Sequence, residues 1–370
     1  MMKARLYSSV DFAECPLTKH PLYSYIQTFL RNDLSNLVEN CSNADCYALE
    51  VGQKLLLVVD ATYEDSQTYP TSLRAQYLDY AQEELFLTNI KGKKILTKVF
   101  QIIKIFVPKT IDEAVYVGNY LLSTNLFQEF SLEELQEIET LLKQRFPTKT
   151  IVYRSQNQLL NQQLMTHLAT LNYQPFISRQ VFIAHQAQTI KQKKSFNNDR
   201  RLAAKTTLDV RTDFDVKAYS ERIVELYSQL YITKYSQINP QYTPTFIESM
   251  ASAENTCFTG IFEDEKLVGV TMSWELDGML TVPILGYDLS YPKKVGIYRL
   301  LTYYTLLRVD ETKVFHMSSG VGSFKLSRGA VYLPEYIYFK SSASSRKKYS
   351  LWLLQKLNKL LVYISKKHVF

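Results

Sequence analysis

Two basic residues, Lys325 and Arg328, follow a turn of small residues over 318–322, and this combination could hold negative charge. Three residues apart on a short helix, the two cations would lie on one helical face close to the turn. Small residues let the backbone turn tightly and approach a ligand closely. The other interpretation is an ordinary strand–helix–strand connection whose two cations face water.

The residues around the turn predict the elements that position these cations. Val314–Met317 is a short apolar run with β-branched and aromatic residues, which predicts a buried strand. Residues 323–329 predict one or two helical turns that end at Gly329, and Tyr336–Phe339 predicts the next strand. His316 lies inside the apolar run and is interpreted as a core histidine with satisfied hydrogen bonds.

A second candidate site lies where a strand over Met279–Asp288 leads into a helix. Pro283 removes a backbone donor, which predicts a splayed or bulged strand and not a central one. The helix opens near Lys293, Lys294 and Gly296, and free N–H groups beside cations could bind a pyrophosphate. An ordinary amphipathic helix with a solvated basic end is the alternative. The apolar face predicted for this helix consists of Ile297, Leu300, Leu301, Tyr304 and Leu307.

Length and composition predict a globular protein with two domains. A chain of 370 residues exceeds one ordinary core, and 46% apolar with 21% charged residues is typical of soluble proteins. The four cysteines form no CxxC pair and have no histidine at zinc-finger spacing, so we expect free thiols, no metal and a cytoplasmic location. No apolar run reaches the roughly 18 residues of a membrane-spanning helix.

Positive charge is concentrated in the second half of the chain. Residues 191–370 carry 26 Lys and Arg against 17 Asp and Glu. A basic half fits an anionic partner such as a nucleotide cofactor, a tRNA acceptor arm or a lipid headgroup. Much of the excess lies in 191–205 and 346–367, so solvated faces are the alternative.

The order of elements repeats between the two halves, which predicts a duplicated α/β module. A β-hairpin over 46–59 has a counterpart over 257–270, and the polar, aperiodic stretch between the halves predicts a linker. The predicted divisions are 1–186 and 200–343 as the two domains, 187–199 as the linker, and 344–370 as a basic amphipathic C-terminal helix.

Two further patterns lie in the first half. Ser131 and Glu134 have the spacing of a capping box that opens an amphipathic helix. The run Ile95–Val107 is apolar and β-branched, which predicts a strand.

The second half resembles the GNAT acyltransferase superfamily, specifically its Fem-like branch of paired GNAT domains. The matching pieces are Arg200–Lys205, the hairpin 257–270, the strand-to-helix passage 285–301 and the motif Ser319–Gly329. The resemblance implies an α/β fold with mixed sheets in two tandem GNAT-like acyltransferase domains, a degenerate first and a catalytic second. It also implies transfer of an acyl group to an amine from a thioester, usually coenzyme A, or from aminoacyl-tRNA.

Such an enzyme must align an amine with a carbonyl, accept a proton and stabilise an oxyanion. Backbone N–H groups near Leu285–Tyr287 and the cation of Lys325 are the predicted oxyanion stabilisers. Asp288 is the predicted base or amine anchor, and Tyr287 the predicted acid for the leaving group. The alternatives are a turn residue for Asp288 and a core aromatic for Tyr287. The residues predicted to bind the acyl carrier are Leu285, Gly286, Lys293, Lys294, Gly296 and Arg328. The residues predicted to bind the acceptor are Ser318, Ser319, Gly320 and Arg200.

The sequence therefore predicts an N-acyltransferase that uses acyl-coenzyme A, such as acetyl-coenzyme A, as co-substrate. The expected acceptor is a small-molecule or lipid-precursor amine, and no DNA partner is expected. Fem-like aminoacyl transfer from tRNA is the alternative enzyme, and a non-catalytic GNAT-like binding module is the alternative outside catalysis. We expect the basic C-terminal helix to dock on the second domain, and contact with a membrane surface is the alternative.

Overall fold

The computed structural model of the protein describes residues 3–65, 67–80, 82–83, 93–341, 349 and 351–356. The strands in these ranges are β1 (Arg5–Tyr7), β2 (Ala44–Val51), β3 (Lys54–Ala61), β4 (Ala114–Val117), β5 (Thr150–Gln156), β6 (Gln174–Ala184), β7 (Asp209–Arg211), β8 (Thr256–Glu263), β9 (Lys266–Leu276), β10 (Met279–Tyr287), β11 (Val314–His316) and β12 (Val331–Lys340). The α-helices are α1 (Tyr23–Arg31), α2 (Lys93–Phe106), α3 (Leu132–Arg145), α4 (Gln162–Thr170), α5 (Ala187–Gln192), α6 (Lys194–Ala203), α7 (Ser220–Ser228), α8 (Pro244–Met250), α9 (Ile297–Leu306) and α10 (Gly322–Leu326).

The described chain forms two compact units, each assembled from separate segments. The first unit comprises the described residues of Met1–Ser178, Tyr235–Gln241 and Glu335–His368. The second comprises those of Arg179–Lys234 and Tyr242–Pro334. Strands β6 and β12 each have residues in both units, whereas the sequence predicted contiguous domains.

The first unit contains a mixed sheet in the order β1-β2-β3-β4-β5-β12. All neighbours are antiparallel except β4 and β5, which are parallel. The hairpin predicted over 46–59 is confirmed as β2–β3, with Gly52 at φ 60° in its turn. The capping box is also confirmed, since Glu134 N donates to Ser131 Oγ at 3.1 Å and Ser131 N donates to Glu134 Oε2 at 2.9 Å.

The predicted strand over Ile95–Val107 is wrong, because these residues belong to helix α2. Lys98, Gln101 and Lys104 recur every three residues and mark one polar face of a helix, with Lys98 and Gln101 exposed and Lys104 half-buried. β-Branched residues lower helix propensity by only a few tenths of a kcal/mol each, roughly, so helical periodicity can override them.

The second unit contains a mixed sheet in the order β6-β11-β10-β9-β8-β7. The pairs are antiparallel except for β10 and β11, which are parallel. The predicted hairpin over 257–270 is confirmed as β8–β9, and β11 confirms the strand predicted after Val314. The strand predicted over Tyr336–Phe339 is confirmed within the longer β12, which starts before Pro334.

Helix α9 covers β8 and β9 in the second unit with part of its predicted apolar face. Ile297, Leu300 and Leu301 are buried in a core cluster with Ile261 of β8. Leu307, predicted to face inward, is 49% exposed and follows the last residue of α9, where the helical periodicity no longer applies.

The stretch predicted as a linker, 187–199, is helical, which corrects that prediction. Helix α5 covers its first six residues, and α6 begins two residues later. Ile190 and Phe196 are buried in one core cluster with Tyr303 of α9. Two apolar anchors on otherwise polar helices are too sparse to produce a recognisable period in the sequence.

Part of the predicted C-terminal helix is present, since residues 351–356 are helical with Leu351 and Leu354 buried. These residues belong to the first unit, so the predicted docking on the second domain is wrong. The remainder of 344–370, apart from residue 349, lies outside the described residues. In the part of the chain that the structure describes, no helix has the length and apolarity needed to cross a membrane.

Candidate active site

Two adjacent strands of the second unit separate partway along their length. β10 pairs in parallel with β11 over Met279–Thr281, and in the described chain this pairing ends there. β10 continues antiparallel to β9 after a register shift between Thr281 and Ile284. Pro283 lies in the shift because it has no N–H to donate. The prediction of a bulged strand is confirmed, whereas its non-central placement is wrong because β10 has a neighbour on each side.

Beyond the separation, alternate residues of β10 direct their backbone groups away from β9. Asp288 N donates to Val268 O at 2.9 Å, which fixes the phase of the antiparallel pairing. Hydrogen-bonded and non-hydrogen-bonded pairs alternate along such a ladder, so Gly286 faces β9. Leu285 and Tyr287 therefore direct their backbone N–H and C=O groups to the side from which β11 has separated.

Gly286 has a structural reason to be glycine. A Cβ at this position would lie 2.5 Å from the carbonyl carbon of Leu226 and 2.6 Å from Tyr227 N. Both are backbone atoms at the end of helix α7, so neither can move aside easily. The glycine lets α7 contact β10 directly and thereby covers one face of the strand near its end.

Lys325 is buried beneath the turn that follows β11. Its Nζ donates to the carbonyl oxygens of Met317 at 2.6 Å, Ser318 at 3.4 Å and Ser319 at 2.7 Å. The residue is 4% exposed, and its Nζ lies 5.5 Å from the centroid of the Phe182 ring. Burial, with a smaller effect of the Arg179 charge, lowers the pKa of Lys325 to about 7. The alternative of a cation that faces water is excluded, and both protonation states are accessible near neutral pH.

The turn over 318–321 has an unusual backbone. Ser318, Gly320 and Val321 have φ angles of 57°, 79° and 45°. A positive φ is rare for a β-branched residue such as Val321. It costs about 1–3 kcal/mol and persists only where the surrounding structure holds the residue in place. Lys325 donates to the carbonyl oxygen of Met317, just before the turn, and to those of Ser318 and Ser319 within it. His316 Nδ1 accepts from Ser318 N at 3.1 Å. His316 is 1% exposed, which agrees with its interpretation as a core residue.

Asp288 is held by cations and by its own turn. Its Oδ2 lies 2.7 Å from Arg222 Nη2 and 3.1 Å from Lys266 Nζ, while Oδ1 accepts from Ser290 N at 3.0 Å and Ser290 Oγ at 2.6 Å. Burial alone would raise the pKa of Asp288, but the hydrogen bonds from Ser290 and the two cations outweigh it and hold the pKa well below its usual range. Such a carboxylate is a weak base, so these contacts favour the turn interpretation.

Tyr287 belongs to a row of half-buried aromatic residues. Its ring centroid is 6.1 Å from that of Tyr298 on α9, which in turn is 4.8 Å from that of Phe324 on α10. The row connects the end of β10 to the helix that carries Lys325. Tyr287 is therefore linked through Tyr298 to Phe324, the residue directly before Lys325.

Arg328 points into the protein. Its Nε lies 2.6 Å from Asp199 Oδ2, and its Nη1 donates to the carbonyl oxygen of Phe324 at 3.0 Å. The residue is 5% exposed, and these two contacts occupy its Nε and Nη1. The contacts therefore argue against the prediction that Arg328 binds the acyl carrier.

The remaining predicted residues of the second unit are exposed or half-buried, except for the buried Gly296. Lys293 and Lys294 are exposed on a 3₁₀ turn before α9, and Arg200 is exposed on α6. Gly296 has φ 77° and is the N-cap of α9, where a Cβ would lie 2.6 Å from Leu202 of α6. Ser318, Ser319 and Gly320 form the turn above Lys325.

Sequence reasoning missed Asp199 and Phe182. Asp199 lies in the stretch predicted as a linker, and Phe182 lies in a strand with no polar signal. Asp199 pairs with a residue 129 positions away. No local pattern reveals a contact at that separation.

Comparisons with known proteins give the fold its context. No protein-family profile matches the chain, and no curated protein matches it in sequence. Among solved structures, FemX is similar with a TM-score of 0.54 at 8% identity, covering 91% of this chain and 98% of FemX. L-PGS from Bacillus licheniformis aligns at a TM-score of 0.42 and 13% identity, over 61% of this chain and 77% of that one. A GCN5-related N-acetyltransferase from Kribbella flavida aligns at a TM-score of 0.34 and 11% identity, over 63% and 83%.

The likeness to FemX extends over nearly the whole of both chains. It confirms, at the level of fold, the tandem GNAT-like arrangement that the sequence predicted. The chain therefore has the tandem GNAT-like, Fem-like fold.

Proposed function

We propose that the second unit transfers an acyl group from acyl-coenzyme A to an amine. The observation that carries the proposal is the separation of β10 from β11 beside the buried cation of Lys325. A separated strand pair offers backbone donors and acceptors at Leu285 and Tyr287 to an extended carrier such as the pantetheine arm. The exposed Lys293 and Lys294 supply positive charge for the carrier's phosphates.

In the proposed reaction the amine nitrogen attacks the thioester carbonyl carbon. A carbon–nitrogen bond forms, the carbon–sulfur bond breaks, and a proton from the amine finally resides on the released thiol. Negative charge develops on the carbonyl oxygen meanwhile, and a cation in a water-poor environment stabilises it. Lys325 in its protonated form supplies that cation through its charge alone, because its three N–H groups already donate to the carbonyl oxygens of 317–319. The half-buried Tyr287 is the proposed proton donor to the thiolate.

Asp288 receives no role as a base in this mechanism. Its depressed pKa favours the ionised form but makes proton abstraction weak. It anchors the end of β10 to Arg222 and Lys266. The acceptor amine must then arrive neutral and lose its second proton to solvent as the amide forms, and solvent returns a proton to Tyr287.

Aminoacyl-tRNA is the second candidate carrier. It is favoured by the FemX-like fold and by the exposed basic residues of α5 and α6. A tRNA acceptor arm would need several such cations and would bind with steep salt dependence. Both carriers are made in the cytoplasm, which is the location we propose. A lipid-precursor amine remains among the proposed acceptors for either carrier.

Thermal-shift and calorimetric titrations with acetyl-coenzyme A and longer acyl-coenzyme A thioesters test the proposal. A ligand that binds the folded state raises the melting temperature, and the stabilisation grows with the logarithm of ligand concentration divided by Kd. We expect stabilisation by at least one thioester. No stabilisation by any thioester, together with salt-dependent binding of aminoacyl-tRNA, would favour the second carrier. Failure of both would favour a non-catalytic binding module.

A further inference from the structure

Asp199 on helix α6 is a buried carboxylate that joins two arginines. It is 0% exposed, with Oδ1 2.6 Å from Arg299 Nε and Oδ2 2.6 Å from Arg328 Nε. Arg299 belongs to α9, whereas Arg328 follows α10. One carboxylate thus ties α6 to two other elements through short, charge-assisted hydrogen bonds.

The two arginines depend on Asp199 to different degrees. The side chain of Arg299 is 38% exposed, so water can solvate its charge if the carboxylate is lost. The side chain of Arg328 is 6% exposed and would become a buried cation without its carboxylate. Loss of Asp199 therefore acts mainly through Arg328.

Arg328 transmits the constraint to α10. Its Nη1 donates to the carbonyl oxygen of Phe324 at 3.0 Å and to Ser327 Oγ at 3.3 Å. The guanidinium carbon also lies 3.4 Å from the centroid of the Phe324 ring. Phe324 directly precedes Lys325, so the contacts of Arg328 fix the backbone from which the lysine projects.

Helix α10 needs such contacts to keep its orientation. It has five residues, and its N-cap residue, Val321, makes no side-chain capping hydrogen bond. A helix this short has little stability of its own. The segment that follows it lies against α5 at Gly329, where an added Cβ would be 3.2 Å from Ile190 Cα.

From these contacts we infer that Asp199 is a positioning residue for Lys325. Its carboxylate holds Arg328, Arg328 holds α10, and α10 directs the Lys325 ammonium to the carbonyls of the 317–319 turn. The catalytic consequence rests on the proposed function, whereas the structural claim stands without it.

The test uses the intact protein and needs no substrate. Competitive labelling of amines with isotopic acetic anhydride, read by mass spectrometry over a pH series, reports how Lys325 titrates. Hydrogen–deuterium exchange of 317–326 reports the order of the turn and of α10. The variants are Asp199→Asn and Arg328→Gln, with Arg299→Gln as the matched control that removes the other arginine of the same carboxylate.

We expect Asp199→Asn and Arg328→Gln to hydrate Lys325 and to move its labelling midpoint from about 7 toward that of an ordinary lysine. Exchange over 317–326 should accelerate about tenfold or more, because local opening becomes easier. Arg299→Gln should leave both readouts close to those of the original protein. If Asp199→Asn does not fold, Arg328→Gln still carries the test, since Asp199 then retains Arg299.

Two results would overturn the inference. One is a folded Asp199→Asn or Arg328→Gln protein in which Lys325 titrates and 317–326 exchanges as in the original. The other is an Arg299→Gln protein in which Lys325 labelling and exchange of 317–326 change as much as in Arg328→Gln. That result would mean that the carboxylate stabilises the surrounding structure in general and does not position Lys325. Failure of acyl-coenzyme A to bind would sink the proposed function and leave these readouts unchanged.

Discussion

Both units contain a strand that is antiparallel to one neighbour and parallel to the other over a few residues, but the residues that follow the parallel pairing differ. In the first unit β4 is antiparallel to β3 and parallel to β5 over four positions. In the second unit β10 is antiparallel to β9 and parallel to β11 over three positions. Where the parallel pairing ends, the first unit has two asparagines and the buried Arg154, whereas the second unit has a turn held by a buried ammonium.

In the first unit two asparagines satisfy the backbone beyond β4. Asn125 Oδ1 accepts from Tyr120 N at 3.0 Å, and Asn119 Oδ1 accepts from Leu121 N at 3.3 Å. Asn125 N in turn donates to Ser155 Oγ at 3.0 Å. Backbone groups that a carrier would need are thus occupied by the protein itself.

The two units differ in how they satisfy buried polar groups beyond the parallel strands: the first uses amide side chains, and the second uses a titratable lysine. Amide side chains satisfy the backbone groups of the first unit without a cost for burying charge, and the buried Arg154 beside them donates to Asn119 Oδ1 and to the carbonyl oxygen of Leu122. A buried lysine carries that cost, which its lowered pKa records. Perturbed groups of this kind concentrate at functional sites. We therefore propose that the second unit holds the chemistry and that the first has lost the corresponding site.

The largest expected effect is that of Lys325→Ala. Loss of one charged group at the oxyanion should lower turnover about 10²–10³-fold. The assay is thiol release from acyl-coenzyme A with a panel of amines, with circular dichroism to establish folding. Lys217→Ala, which removes an exposed lysine of the same unit, is the control. A folded Lys325→Ala protein with unchanged turnover would remove Lys325 from the mechanism.

A smaller effect, on stability alone, is expected from Asn125→Ala in the first unit. The change leaves Tyr120 N without its acceptor, which costs about 1–3 kcal/mol for a buried group. Urea denaturation measures the loss, and thermal shift with acyl-coenzyme A should show unchanged binding. Gln136→Ala on the exposed face of α3 is the control. Lost carrier binding in the folded Asn125→Ala protein would place the carrier in the wrong unit for this proposal.

The last prediction is a difference in pH dependence. The pKa of Lys325 is about 7 in the folded protein and near 10.5 when unperturbed, so between these values the unfolded chain binds a proton that the folded protein does not. Stability from this group should therefore rise with pH across that window and fall as pH drops through about 7. Urea titrations over this range should show the rise in the original protein and lose it in Lys325→Met. Equal slopes in both proteins would contradict the lowered pKa.

Local signals explain which parts of the fold the sequence predicted. The capping box at Ser131, the β-hairpins and the bulge at Pro283 depend on residues a few positions apart, and all three are confirmed. The sequence predicts a strand in place of helix α2, because the many β-branched residues there favour a strand and the polar residues that recur every three positions are a weaker signal. Local pattern therefore predicted most elements of the second unit.

The candidate site was harder to predict because its charges are compensated from far away in the sequence. Lys325 and Arg328 have the same spacing signal, yet one holds a turn and the other a carboxylate 129 positions earlier. Asp288 likewise finds its partner Arg222 at a distance of 66 positions. Residue type and spacing predicted where the charges lie, and only tertiary packing decides which of them can meet a ligand.

Hydrogen–deuterium exchange of the intact protein, with and without saturating acetyl-coenzyme A, tests the central proposal most directly. Calorimetry first establishes that the thioester binds. The proposal predicts slower exchange over 282–288 and 317–323 in the second unit and no change over 119–125 in the first. Bound thioester that protects 119–125, or that leaves both segments of the second unit unchanged, would contradict it.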